Sequence, residues 1–159
     1  MKKPQIGSKI DNFTRPATGA KDISLDDFKG KNVVLYFYPK DNTPGCTTEG
    51  GDFRDHIKDF EAANTVILGV SRDSIRKHEN FKSKQSFPFD LLSDEDESLC
   101  QQFDVIKLKK LYGKEYLGID RSTFLIDKHG VLVKEWRGVK VKGHVDEVLA
   151  AAQALNLNA

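Results

Sequence analysis

The stretch Asn32–Tyr38, with the sequence NVVLYFY, constrains the fold more than any other part of the chain. Its run of aliphatic, β-branched and aromatic residues leaves no polar face, which is typical of a central strand buried on both sides of a sheet. Pro39 ends this strand, and turn-forming residues lead into an amphipathic helix predicted over Cys46–Ala63. A second apolar strand, Thr65–Ser71, follows. Because strand, helix and strand form a βαβ unit, the two strands are predicted to lie parallel with a right-handed crossover.

The middle of the chain continues this alternation of helix and strand. Asp73 or Ser74 can cap a further helix, and Phe87–Leu92 is predicted to return as a short strand. Ser93 and Asp96 have the spacing of a capping box, which predicts another short helix directly after that strand.

The last third of the chain predicts a surface loop, a hairpin and a closing helix. The loop is the lysine-rich segment Lys107–Gly118, the hairpin joins Ser122–Ile126 to Val131–Trp136, and the helix carries apolar residues from Val145 to Leu155. With the βαβ unit, these elements predict an α/β fold, a three-layer sandwich of thioredoxin type around a central mixed sheet. No repeat or linker interrupts residues 1–159, so a single domain is expected.

Charge and hydropathy exclude several classes of function. The 25 Lys and Arg against 24 Asp and Glu give a formal charge of +1, whereas nucleic-acid or anionic-membrane binding needs a basic surface. The longest apolar run, Val33–Tyr38, is far shorter than the roughly 20 residues that span a bilayer. The N-terminus lacks the apolar stretch of a signal peptide, and two cysteines are too few for a disulfide scaffold. We therefore expect a cytoplasmic protein with reduced thiols, without a membrane or nucleic-acid partner.

Cys46 is the main candidate for chemistry because of where it stands. It follows Pro44 and Gly45 at a switch from a buried strand to a helix, so its sulfur is expected among the unpaired backbone N–H groups of the first helical turn. These groups favour an anion, and the thiolate is the reactive form of cysteine. The alternative is a small buried apolar residue, which is the usual role of a free cysteine.

Three further residues are candidates on weaker grounds. Thr43 stands three residues before Cys46, close enough for its hydroxyl to reach the sulfur or a bound substrate, but a turn threonine is an equal alternative. Glu49 lies one helical turn after Cys46, where acidic residues are common in any helix. Arg121 precedes the predicted hairpin, and spacing alone does not distinguish it from a surface arginine.

The run from Tyr38 to Glu49, YPKDNTPGCTTE, resembles the active-site signature of the peroxiredoxins, and more narrowly of the bacterioferritin comigratory protein (PrxQ) subfamily. The resemblance continues through LGVSRDS, KHENF, FPFDLLSD, GIDRSTFLID and VKVKGHVDEVL, from about Gly7 to Leu155. It implies that Cys46 is the peroxidatic cysteine, with Pro39 and Thr43 at the family spacing. It also identifies Arg121 with the arginine that pairs with the cysteine and the peroxide.

This resemblance implies a thiol-dependent peroxidase that needs no cofactor. The Cys46 thiolate attacks one peroxide oxygen and becomes a sulfenic acid, while the other oxygen leaves as water or alcohol. Thr43 and Arg121 would orient the peroxide, Pro39 would shield the sulfenic acid, and Glu49 would support the site. Expected partners are hydrogen peroxide or organic hydroperoxides and a reductant such as thioredoxin, glutaredoxin or glutathione, and the resemblance favours a monomer.

The chain departs from the family pattern where many members carry a resolving cysteine. Gly51 stands five residues after Cys46, and Lys82 stands at the alternative position in the following helix. Only Cys100 remains, and its place beside Leu99 favours a packing thiol. A one-Cys cycle with an external thiol is therefore expected, with a Cys46–Cys100 disulfide, formed after local unfolding, as the alternative.

Other features predict less. The four histidines, His56, His78, His129 and His144, show no metal-ligand spacing, so no metal site is expected and surface positions account for them. A thiol–disulfide oxidoreductase would need a second cysteine at position 49, which is a glutamate. A non-catalytic holdase or binding module of the same fold stays as the alternative from a different class.

Overall fold

The computed structural model describes residues 3–158. The strands are β1 (Thr14–Ala17), β2 (Lys21–Ser24), β3 (Asn32–Phe37), β4 (Thr65–Ser71), β5 (Asp90–Ser93), β6 (Ile106–Leu111), β7 (Lys114–Ile119), β8 (Ser122–Ile126) and β9 (Leu132–Trp136). The helices are α1 (Pro44–Asp55), α2 (Ile57–Ala62), α3 (Ile75–Gln85), α4 (Ser98–Gln102) and α5 (His144–Leu157), and a 3-10 turn spans Leu25–Phe28.

Seven strands form the central sheet in the order β2-β1-β5-β4-β3-β8-β9. Strands β3, β4 and β5 run parallel, while β8 pairs antiparallel with β3 and β1 pairs antiparallel with β5. The sheet is therefore mixed, and the predicted parallel βαβ unit from β3 to β4 is confirmed. Every residue of β3 is buried, as the NVVLYFY pattern predicted.

The two faces of the sheet carry separate apolar cores, because alternate side chains of β3 point to opposite faces. Val34 and Tyr36 join a core that α1, α2, α3 and α5 cover, and Val33 and Leu35 join a core that α4 and the N-terminal segment cover. The four helices on one face, the sheet, and α4 with the N-terminal segment on the other face make three layers. The predicted three-layer sandwich is therefore confirmed.

The two cysteines lie on opposite faces of this sheet. Cys46 belongs to the core shared with α5, whereas Cys100 belongs to the core on the other side. Both are buried and both are free thiols. Strands of the central sheet therefore separate the two sulfur atoms.

The prediction of one helix over Cys46–Ala63 is wrong about where the helix begins and about its continuity. It begins two residues earlier, at Pro44, whose missing N–H and fixed φ suit the first position of a helix. It also breaks into α1 and α2 at His56, whose N–H bonds the carbonyl of Phe53, three residues back rather than four. That tighter turn redirects the chain.

The predicted capping box of Ser93 and Asp96 is also wrong. The Ser93 hydroxyl donates to the carbonyl of Asp73 at 2.6 Å, so it does not cap α4. Asp94 performs that task from a buried position, because its two carboxylate oxygens accept the backbone N–H groups of Leu99 and Cys100.

Three further features of the secondary structure differ from the sequence predictions. The lysine-rich segment predicted as a loop is the hairpin β6–β7, and it does lie at the surface. The strand predicted over Phe87–Leu92 begins only at Asp90. Strands β1 and β2 were not predicted, because four-residue strands that include charged residues carry almost no periodic signal.

Within residues 3–158, every helix is too short or too polar to cross a bilayer.

Gly50 offers a test of how tightly α1 packs on the core. A Cβ at this position would lie 2.4 Å from Cζ of the buried Phe87, so Gly50→Ala forces the ring or the helix to move. We expect the free energy of unfolding, measured by urea titration, to fall by about 1–3 kcal/mol. Gly51→Ala is the matched control, because its nearest neighbour is the flexible end of Arg54 at 3.3 Å. Equal unfolding midpoints for the two variants would contradict this packing argument.

Candidate active site

Cys46 is the third residue of α1, directly after the loop that follows β3. Its side chain is nearly buried, with a relative exposure of 2%. The first turn of a helix presents backbone N–H groups without partners in the helix and a partial positive charge. The predicted strand-to-helix position of the thiol is thus found in the structure, with the sulfur at the first turn of the helix.

Arg121 reaches Cys46 from a distant part of the sequence. Ser122 pairs with Phe37 across β8 and β3, so the residue before β8 stands beside the loop that follows β3. The Nη2 group of Arg121 donates to Cys46 Sγ at 3.4 Å. It passes close to Gly45, where a Cβ would lie 3.1 Å from Nη2 and make a tight contact.

Glu49 holds the other side of the same guanidinium group. The Nη1 group of Arg121 donates to Glu49 Oε1 at 2.6 Å, and the Glu49 side chain is fully buried. Burial raises the pKa of Glu49 to about 7, although Arg121 acts in the opposite direction. Glu49 Oε2 has no hydrogen-bond partner among residues 3–158 and faces His144 Nε2 at 4.0 Å. The structure therefore brings Cys46, Glu49 and Arg121 into one cluster.

Thr43 and Pro39 lie in the loop between β3 and α1. The Thr43 hydroxyl donates to the carbonyl of Lys40 at 2.8 Å, so its hydrogen does not point to the sulfur. Its oxygen lone pairs are left to accept a hydrogen bond. Pro39 is half-buried at the end of β3.

Cys100 is a packing thiol in this structure. Its side chain is fully buried, and its backbone N–H donates to Asp94 Oδ2 at 2.7 Å. Burial, together with the Asp94 charge, raises the pKa of the Cys100 thiol far above its ordinary value. A thiol with those surroundings is a poor nucleophile.

A buried polar cluster anchors the loop that carries Thr43. Asp41 Oδ1 accepts from the Tyr38 hydroxyl at 2.6 Å, and Asp41 Oδ2 lies 2.7 Å from His78 Nδ1. The backbone N–H of Asp41 donates to Asp73 Oδ2 at 2.9 Å. The loop is thereby tied to α3 and to the segment after β4.

His78 is fixed at both ring nitrogens. Its Nε2 lies 2.8 Å from the carbonyl oxygen of Leu92 on β5, and its Nδ1 lies 2.7 Å from Asp41 Oδ2. The ring therefore joins the loop after β3 to the central sheet.

The prediction that surface positions account for the histidines is wrong for His78 and His144, which are both buried. A signal was present in each case. His78 stands three residues from both Ile75 and Phe81, on the buried face of α3. His144 stands four residues before the buried Val148 on α5.

Asp41, Asp73 and His78 also form a cluster whose ligand atoms lie within 4.8 Å of one another. Their facing atoms are already engaged in hydrogen bonds with each other and with Tyr38, Ser71 and Leu92. The cluster therefore fits an internal hydrogen-bond network and not a metal site.

Comparisons with known proteins identify a family and close structural relatives. Residues 6–135 match the AhpC/TSA family. Peroxiredoxin Bcp of Bacillus subtilis is 56% identical over 145 residues, covering 91% of this chain and 92% of that protein. The solved structure of peroxiredoxin Q from Xanthomonas campestris superposes with a TM-score of 0.87 at 53% identity, covering 91% of each chain. A cysteine-to-serine mutant of PrxQ from Xylella fastidiosa gives 0.91 at 45% identity, covering 97% of this chain and 98% of that one.

The Asp41–His78 pair can be tested by removing one partner. Asp41→Ala removes the buried carboxylate that joins the Tyr38 hydroxyl to His78 Nδ1, so we expect a loss of about 1–3 kcal/mol in the free energy of unfolding. Urea titration measures it, and Asp26→Ala, which removes an exposed carboxylate, is the matched control. A loss no larger than that of the control would show that the pair does not stabilise the loop.

Proposed function

This chain belongs to the AhpC/TSA family, with peroxiredoxins of the Bcp/PrxQ type as its relatives, and on that premise we propose that it reduces peroxides through a one-Cys cycle centred on Cys46. It is a thiol-dependent peroxidase, so the alternatives of a non-catalytic holdase and of a thiol–disulfide oxidoreductase are set aside. The observation that carries the proposal is the hydrogen bond from Arg121 to Cys46 at the first turn of α1.

In the first step, the Cys46 thiolate attacks one oxygen of the peroxide. A sulfur–oxygen bond forms as the oxygen–oxygen bond breaks, Cys46 becomes a sulfenic acid, and the departing oxygen takes up a proton to leave as water or an alcohol. Arg121 supports this step by donating to the thiolate and to the oxygens on which charge develops. The guanidinium already lies 3.4 Å from the sulfur, so little reorganisation is needed.

Thr43 and Pro39 complete the proposed substrate site. Since the Thr43 hydroxyl donates to Lys40, its oxygen can accept the O–H of a peroxide and turn the peroxide toward the sulfur. Pro39, half-buried two residues after β3, offers no N–H, and its proposed role is to limit access of water to the sulfenic acid.

Organic hydroperoxides are proposed as substrates besides hydrogen peroxide. The Xanthomonas campestris bacterioferritin comigratory protein, which is 52% identical to this chain, has alkyl peroxide reduction activity. Apolar residues around Cys46 suit an alkyl group.

An external thiol is proposed to reduce the sulfenic acid. Attack by the first thiol gives a mixed disulfide and water, and a second thiol releases Cys46 and leaves as the disulfide. By the resemblance to the family, Gly51 and Lys82 stand where many members carry a resolving cysteine. Cys100 lies on the other face of the sheet, and a Cys46–Cys100 disulfide would require the sheet or both helices to open.

Thioredoxin, glutaredoxin and glutathione are the candidate reductants, and a cytoplasmic monomer stays the expected state of the protein. Each reductant can be compared by the rate at which it restores the free Cys46 thiol after one turnover. Light scattering during chromatography measures the molecular mass in solution.

Intact-mass analysis tests the one-Cys cycle. After one equivalent of hydrogen peroxide and a sulfenic-acid trap, we expect one trapped adduct on the wild type and on Cys100→Ser, and none on Cys46→Ser, because Cys46 alone forms the sulfenic acid. A wild type that loses both thiols without an adduct, while Cys100→Ser is trapped, would establish Cys100 as the resolving residue. Absence of any reaction with peroxide would sink the proposed function.

The role of Arg121 is tested by Arg121→Met, which keeps an unbranched apolar stem and removes the charge and the hydrogen-bond donors. We expect the second-order rate constant of Cys46 with hydrogen peroxide to fall by about 10²–10³, because donors to the developing charge are lost. Arg76→Met, at an exposed position of α3, is the matched control. Stopped-flow kinetics measures both variants, and an equal rate for the two would remove Arg121 from the mechanism.

A further inference from the structure

A second layer of buried side chains lies behind the Cys46–Arg121 pair. His144, the first residue of α5, is buried, and its Nε2 lies 2.8 Å from Oγ1 of the buried Thr123 on β8. Its ring meets the edge of Trp136, with 5.8 Å between centroids and 84° between ring planes. The ring is therefore held from two sides in one orientation.

The held ring stands against the one oxygen of Glu49 that has no hydrogen bond. His144 Nε2 is 4.0 Å from Glu49 Oε2, which lies beyond hydrogen-bond distance. A buried carboxyl oxygen without a partner costs free energy and would turn toward water if water could enter. Glu49 therefore keeps its orientation only while its surroundings stay closed.

We propose that His144 is a positioning residue for the peroxidase reaction: held by Thr123, its ring confines the second carboxyl oxygen of Glu49 and thereby keeps the first oxygen on Arg121. The inference rests on the proposed role of Arg121 at Cys46. It concerns a buried histidine of the VKVKGHVDEVL segment to which the sequence assigned no role.

Charge explains why a neutral ring suits this position. Burial and the nearby Arg121 lower the pKa of His144 to about 4, so at neutral pH the ring adds no positive charge that would draw Glu49 from Arg121. The titratable and charged groups that face Glu49 are Cys46 and Asp52 on α1, Tyr36 on β3, Arg121 before β8 and His144 on α5. Arg121 is the cation among these groups. Glu49 is therefore oriented by its hydrogen bond to Arg121 and by the ring of His144, which closes the other side of the carboxyl group.

His144→Ala removes this ring and is the central variant of the test. Water then reaches Glu49 Oε2, so we expect the pKa of Glu49, read by carbon NMR of labelled glutamate, to fall from about 7 toward the ordinary carboxyl range. A hydrated Glu49 carboxylate can move, and Arg121 can move with it away from Cys46. We therefore expect the rate constant of Cys46 with hydrogen peroxide to fall about tenfold. The pH dependence of that rate should shift in the same direction as the NMR titration.

Two further variants separate positioning from stability. Val148→Ala removes buried volume one turn further along α5 and should lower the melting temperature without changing the rate or its pH dependence. Thr123→Val combined with His144→Phe replaces the hydrogen-bonded pair by an apolar pair of similar shape, and it should restore most of the rate. Thr123→Val alone releases the ring without removing it and should give a smaller shift of the Glu49 titration, which keeps the test valid if His144→Ala does not fold.

The outcomes are distinct. A folded His144→Ala or Thr123→Val variant with an unchanged Glu49 titration and an unchanged pH profile would overturn the proposal and leave His144 a packing residue. The NMR titration of Glu49 does not depend on activity. A wild type that fails to react with peroxide would therefore refute the proposed function, while the titration would still show whether His144 positions Glu49.

Discussion

The site depends on one guanidinium group that makes hydrogen bonds in two directions. Arg121 donates through Nη2 to Cys46 and through Nη1 to Glu49, so the planar geometry of the group fixes the angle between the sulfur and the carboxylate. Its positive charge interacts with both the Glu49 carboxyl group and the Cys46 sulfur, and both of these groups are buried. Any change in the position or protonation of Glu49 therefore alters what Arg121 can offer to Cys46.

The fold explains how these side chains meet. The sheet places β8 next to β3, so the start of one strand lies beside the end of the other, and α1 begins in the same corner. The loop between β3 and α1 is then tied down through Asp41, which bonds Tyr38 and His78 in the interior. A short connection with an internal polar anchor is suited to hold reacting groups, because little freedom is left to lose when substrate binds.

The sequence predicted most of this architecture because buried parallel strands and amphipathic helices leave strong periodic patterns. It placed β3, β4, β8 and α5 closely, and it placed Cys46 at a switch from strand to helix. It could not reveal that Glu49 and Arg121, which are 72 positions apart, share a hydrogen bond, since only the register of β8 on β3 brings them together. The partners of the buried histidines were missed for a similar reason: helical spacing places His78 and His144 on apolar faces, but Leu92 and Thr123 come from other elements of the fold.

The separation of Cys46 from Cys100 by the sheet affects how readily the enzyme is inactivated by over-oxidation. In the proposed cycle, no thiol of the same chain competes for the sulfenic acid, so its lifetime depends only on how fast outside thiol arrives. A second peroxide that arrives earlier converts it to a sulfinic acid, which ordinary thiols do not reverse. The fraction of molecules lost per turnover is then set by the ratio of two rates: the over-oxidation rate constant times the peroxide concentration, and the reduction rate constant times the thiol concentration. The number of turnovers that each molecule completes therefore depends on the balance between oxidant and thiol around it.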